Sequence, residues 1–155
     1  MDIRDALERC IRTVPDFPIQ GIQFRDITPV LANPTLMMQI TESFAESVAG
    51  TKPTAVAGPE ARGFIFGPLV AAQLGCPFIP IRKPGKLPSD TVSVAYELEY
   101  GTNTLEMHKD ALVDKDRVII VDDLLATGGT VQAAISLIEG TGAQTVGTCF
   151  VIELL

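Results

Sequence analysis

From Asp2 to Val14, the apolar residues Ile3, Leu7, Cys10, Ile11 and Val14 recur at helical spacing, with Asp2 placed to cap the start. Pro15, Pro18 and Gly21 then break the pattern into a loop. Asn33-Pro34 supplies a cap followed by a proline at the first helical position. The helix it opens runs through Met37, Ile40, Phe44 and Val48 to a stop at Gly50. Thr54 to Ala57 is a short buried strand, Phe64 to Leu74 a helix closed by Gly75, and Phe78 to Ile81 a further strand. Val92 to Tyr100 and Thr102 to Met107 flank Gly101 as a β-hairpin. Arg117 to Val121 is a continuous apolar strand. Val131, Ala134, Ile135 and Ile138 form one helical face ending at Gly140, and Gln144 to Ile152 is the last strand.

Strands that alternate with helices predict an α/β fold with a mainly parallel twisted sheet flanked by helices. No repeat, low-complexity tract or linker divides the sequence, so residues 1–155 are expected to form a single domain. Arg82 to Thr91 has a different character, with Pro84, Gly85, Pro88 and three basic residues and little to bury. A loop of that length inside a compact domain is often a functional one.

Composition narrows the classes. The 155 residues carry 12 basic and 19 acidic side chains, a formal charge of −7. So acidic a chain is a poor match for nucleic acid or an anionic membrane, and any anionic ligand must be held by a local cluster. Cys10, Cys76 and Cys149 lie far apart, with neither metal-ligand spacing nor a disulfide framework, which fits a reducing cytosol. Met1 to Arg12 lacks the apolar core of a signal peptide, and the apolar run from Gly63 to Gly75 is too short to span a bilayer. A soluble cytoplasmic protein is the expectation.

The sharpest signal is the run from Val118 to Thr130, a buried strand ending in Asp122 and Asp123, followed by Leu-Leu-Ala-Thr-Gly-Gly-Thr. Ligands of α/β sheets bind at the carboxyl ends of strands. The Ala126, Thr127, Gly128, Gly129 and Thr130 turn can aim several backbone N–H groups at one anion, assisted by two hydroxyls and the next helix N-terminus. Asp122 and Asp123 would repel a phosphate in contact. They fit one sugar-length away, accepting hydrogen bonds from ribose hydroxyls and favouring positive charge developing on the ring. Thr130 stands where a Walker A loop needs lysine, and no Rossmann glycine fingerprint follows a strand.

This segment resembles the phosphoribosyl pyrophosphate signature of the type I phosphoribosyltransferases. Together with Phe24-Arg-Asp-Ile27, Glu60-Ala-Arg-Gly-Phe64, Arg82-Lys-Pro-Gly-Lys-Leu-Pro88 and Leu98-Glu-Tyr-Gly101, it is similar to the adenine phosphoribosyltransferases over nearly the whole chain. The resemblance implies the type I fold, with an N-terminal hood at about residues 1–30 and a hairpin lid at about 82–107. It implies transfer of the phosphoribosyl group to N9 of adenine, giving AMP and pyrophosphate, as in purine salvage.

By the same resemblance, Glu60, Ala61 and Arg62 form a pyrophosphate loop, with Arg82, Lys83 and Lys86 beside it. The main chain of Gln23 and Arg25 reads the adenine edge, and Phe24 and Leu154 cover its faces. Glu99 takes the proton that leaves adenine, with Glu97 as the competing carboxylate. Mg²⁺ is the implied cofactor, held mainly by substrate oxygens with no dedicated protein ligand set, and a homodimer the implied assembly. The family pattern runs on past Val151–Leu155 into a short further segment, a departure that bears on the base-side wall and Leu154. Two alternatives compete. One is a phosphoribosyltransferase of another purine. The other is a non-catalytic phosphoribosyl pyrophosphate-binding regulator, which should carry a DNA-binding module or a basic face.

Overall fold

The computed structural model describes residues 2–98 and 101–154. The chain divides into two compact units, Met1–Ser43 and Phe44–Leu155.

In the first unit, α1 (Ile3–Cys10) is capped by the Asp2 carboxylate, which accepts from the Arg4 amide. The helical spacing predicts a continuation to Val14, but α1 stops at Cys10 and Arg12–Pro15 becomes strand β1. It pairs antiparallel with β2 (Gln23–Asp26), Thr13 opposite Arg25 and Val14 opposite Phe24. The β-branched Thr13 and Val14 suit a pleated ladder better than a helix. Two cross-strand interactions and one ring contact outweigh the local periodicity: Arg12 bonds Asp26 at 2.6 Å, Arg25 bonds Thr13 at 2.6 Å, and the ring of Phe17, just past β1, meets Phe24 edge-on at 5.1 Å. The Thr28 hydroxyl and amide, and then Arg12, hold the Asp26 carboxyl down at about 2. The short helix α2 (Thr28–Leu31) follows, then α3 (Pro34–Ala49), whose first-turn Leu36 amide donates to the Asn33 side chain.

The second unit is built on a four-stranded parallel sheet of β3 (Ala55–Pro59), β4 (Phe78–Ile81), β7 (Arg117–Leu125) and β8 (Gln144–Glu153), in the order β4-β3-β7-β8. β3 is wholly buried, and β7 is buried from Val118 to Val121 and at Asp123, as expected where helices cover both faces. Alternate residues face opposite ways. Ala55, Ala57, Val118 and Ile120 share one core cluster with Ala133, Ala134, Leu137 and Ile138 of α5 (Gly129–Glu139). Gly58 faces the other side, where α4 (Gly63–Leu74) packs so closely that a Cβ on Gly67 would collide with the Phe78 ring. Gly75 ends α4 in the left-handed conformation at φ 67°, the helix stop read from the sequence.

The hairpin of β5 (Thr91–Glu97) and β6 (Thr102–His108) pairs Thr91 with His108 through to Glu97 with Thr102. Leu105 and Met107 are buried in the α5 cluster, with Val92, Val94 and Tyr96 packed against it.

Candidate functional site

Because β3 and β7 run parallel, their carboxyl ends open on the same edge of the sheet, and a cavity of about 360 Å³ lies there. Its wall gathers the three strings read from the sequence: Glu60, Ala61 and Arg62 after β3, Asp122 and Asp123 on β7, and Ala126 to Thr130 before α5. Glycine makes the two turns possible. A side chain at Gly63 would press on the Val121 carbonyl at 3.0 Å and on Asp122 Oδ1 at 3.3 Å. Gly128 caps α5 at φ 86°, a conformation that L side chains rarely adopt. The Glu60–Ala61 peptide bond is cis.

The two aspartates have different surroundings. Asp123 is buried and accepts from Arg62 Nε, while nearly half of the Arg62 side chain is exposed. Asp122 Oδ1 accepts from the Asp123 amide at 2.9 Å. Burial pushes the Asp122 carboxyl up to about 7, and the adjacent Asp123 charge adds to the rise, against the Asp123 amide and the Arg62 charge. Arg62 therefore has an acidic partner beside the cavity, which its sequence context does not reveal.

Glu60 turns toward the 82–86 segment. Its Oε1 accepts from the Lys83 amide at 2.7 Å and lies 3.4 Å from Arg82 Nε. The Lys83 amide is the main reason its carboxyl sits below the ordinary range, against the cost of burial. Arg82 is held further by a two-way main-chain bridge to Glu106, by donation to the Lys86 carbonyl at 3.3 Å, and by the Phe64 ring 5.8 Å away. Gly85 donates to the Glu106 carboxylate at 3.2 Å. Polar contacts thus tie down a loop with few apolar residues, while Lys83 and Lys86 stay exposed.

Among the residues assigned to adenine, Gln23, Phe24 and Arg25 form most of β2 in the first unit. Leu154 is 44% exposed, its amide bonded to the carbonyl of the cavity residue Leu125 at 2.9 Å. Glu99 lies outside the described residues. Glu97 is exposed on β5, facing away from Val94 and Tyr96. Among the described residues no group of three metal-ligating side chains gathers.

Leu124, Leu125, Val131 and Phe150 also line the cavity and were missed from the sequence. Phe150 arrives through the β7–β8 register, which sets it beside Asp122, and no local pattern announces such a pairing. Glu106 was missed for the same reason.

Comparison with known proteins agrees with this geometry. Residues 26–154 match the phosphoribosyl transferase domain. An adenine phosphoribosyltransferase of Francisella philomiragia is 54% identical over 152 residues, 97% of this chain and 87% of the relative. The crystal structure of adenine phosphoribosyltransferase from Thermoanaerobacter pseudethanolicus superposes with a TM-score of 0.93 at 49% identity, covering 98% of this chain and 88% of that one. The Saccharomyces cerevisiae enzyme, complexed with an imino-altritol bisphosphate and adenine, gives 0.94 at 38% identity over 98% and 89% of the two chains. A parallel sheet with paired aspartates above a glycine turn, and this likeness along nearly its full length, place the chain in the adenine phosphoribosyltransferase family.

Proposed function

We propose that this chain transfers the phosphoribosyl group of phosphoribosyl pyrophosphate to N9 of adenine, forming AMP and releasing pyrophosphate. The observation that carries the reading is a cavity whose wall brings together the Glu60–Arg62 turn, Asp122 and Asp123, and the Ala126–Thr130 turn. That set of groups suits a phosphate, a ribose and a pyrophosphate. The 5′-phosphate takes the backbone amides and hydroxyls of the turn at the N-terminus of α5. The two carboxylates take the ribose hydroxyls and stabilise the positive ring as the C1′–O bond to pyrophosphate breaks. As N9 bonds to C1′, its proton passes to Glu99.

Arg62 is held by Asp123 at the cavity wall. Pyrophosphate would compete for that guanidinium, bringing leaving-group binding and Asp123 into the same equilibrium. Adenine is read by the main chain at Gln23 and Arg25. This is supported by β2 having β1 as its strand partner, so that its other edge keeps donors and acceptors that the sheet does not use. Phe24 and Leu154 supply apolar faces.

Mg²⁺ fits the donor set. Asp122 and Asp123 would offer hard carboxylate oxygens, too few among the described residues for a protein cage, so the ion would be held mainly by substrate oxygens. When bound, the ion neutralises charge on the departing pyrophosphate. A cytosolic location is supported by three free cysteines. A homodimer agrees with the commonest symmetry of soluble oligomers.

The test offers phosphoribosyl pyrophosphate and Mg²⁺ with each purine in turn. Adenine should give AMP, and hypoxanthine should be worse by roughly 10⁴-fold in kcat/KM, because its 6-oxo group leaves a buried main-chain partner unpaired. Comparable turnover of hypoxanthine would assign the chain to another purine. Binding without turnover of any purine would make it a regulator.

A further inference from the structure

Among the described residues of the hairpin, Tyr96 reaches the anion turn. Along β5 the inward positions are Val92, Val94 and Tyr96, all packed against the core cluster that includes α5. Tyr96 is the last of them, where β5 meets the start of the helix. Its hydroxyl is 3.4 Å from Thr130 Oγ1. Its ring is what a Cβ on Gly129 would meet first, at 3.8 Å. Gly129 and Thr130 line the cavity and Tyr96 does not, so the ring braces the turn from behind.

We propose that Tyr96 is a positioning residue of the phosphate turn, fixing the Gly129–Thr130 backbone and tying occupancy of the turn to the order of the hairpin. The proposal rests on the phosphoribosyl reading of the cavity. A threonine hydroxyl donates one hydrogen and accepts others. A phosphate in the turn takes the Thr130 hydrogen, which leaves Thr130 Oγ1 as the acceptor for the Tyr96 hydroxyl. Two hydrogen bonds in series polarise one another, so the 3.4 Å contact shortens when the phosphate arrives. Tyr96 is paired with Asn103 across the hairpin, so the pull is transmitted to both strands. Next after Tyr96, Glu97 pairs with Thr102 and the Leu98 amide bonds the Gly101 carbonyl, so the pull reaches these residues as well.

Hydrogen exchange on the full chain, with and without ribose 5-phosphate, tests this. In the wild type, saturating ligand should slow exchange both at 126–131 and at 92–98. In Tyr96→Ala the turn should still be protected at saturation while the hairpin protection is lost. Tyr96→Phe keeps the ring and should restore hairpin protection in part. Its affinity for ribose 5-phosphate should be lower by about 2- to 5-fold, the share of one long hydrogen bond. Hairpin protection that survives in Tyr96→Ala, or a wild type whose turn is protected while its hairpin is unchanged, overturns the proposal. If Tyr96→Ala does not fold, Tyr96→Phe decides alone, and an unchanged affinity overturns it. A wild-type turn that ribose 5-phosphate leaves unprotected overturns the phosphate assignment and this proposal with it.

Discussion

Gly128→Ala isolates what the phosphate turn asks of the backbone. At φ 86° the residue is in the left-handed region, and a Cβ built there meets nothing within 4 Å. The substitution is therefore free of steric collision, and its whole cost is conformational, about 1–2 kcal/mol for an L residue held in that region. If the turn keeps its shape, the cost falls on the folded state and Tm drops by about 2–8 °C for a chain of this size. If the turn relaxes instead, stability recovers but the amides no longer converge on the anion. The affinity for ribose 5-phosphate then falls by up to the same energy, roughly 5- to 30-fold. Differential scanning fluorimetry and ligand titration on the same preparation separate the two branches. A variant with wild-type Tm and wild-type affinity would refute the reasoning, since the strain would then have nowhere to reside.

Three further outcomes are expected. Burial raises the Asp122 carboxyl to about 7 from an ordinary 3.8, so the folded chain holds that proton more tightly than the unfolded one. The resulting stabilisation is fully present below about pH 4 and is lost as pH rises through about 7. Asp122→Asn lacks this titration, so its Tm relative to wild type should climb between those pH values, and a flat difference would rule the burial effect out. Glu99→Gln should lower kcat by roughly 10²–10⁴-fold while the exposed Glu97→Gln stays near wild type; the reverse ranking would make Glu97 the proton acceptor. Trypsin should cut after the exposed Lys86 more slowly when phosphoribosyl pyrophosphate and Mg²⁺ are bound, because a closed site restrains the 82–86 segment. Equal rates would remove that segment from any lid.

The second unit was nearly all legible in the sequence. The central strands β3 and β7 carry continuous apolar runs, α5 has one apolar face, and Gly75 marks a helix stop in the left-handed conformation. These are short-range signals, fixed by backbone geometry and by the period of burial. The chemistry of the strand–turn–helix from Val118 to Thr130 was legible for the same reason, since one contiguous segment carries both carboxylates and the anion turn.

What the sequence left undecided are the long-range pairings. The periodicity that runs on through Val14 gave way to a strand because Phe24, Arg25 and Asp26 came alongside, and β2 itself had no local signature. Arg62 shows no acidic partner in its own segment until β3 and β7 align and Asp123 takes its Nε. Glu60 shows no partner in its own segment until the fold brings the Lys83 amide to its carboxylate. Tyr96 is one aromatic residue of a strand until β5 lies against α5 and brings its hydroxyl to Thr130. In each case the residue type was visible, but its partner is many positions away, and only the packing of the sheet determined which groups would meet.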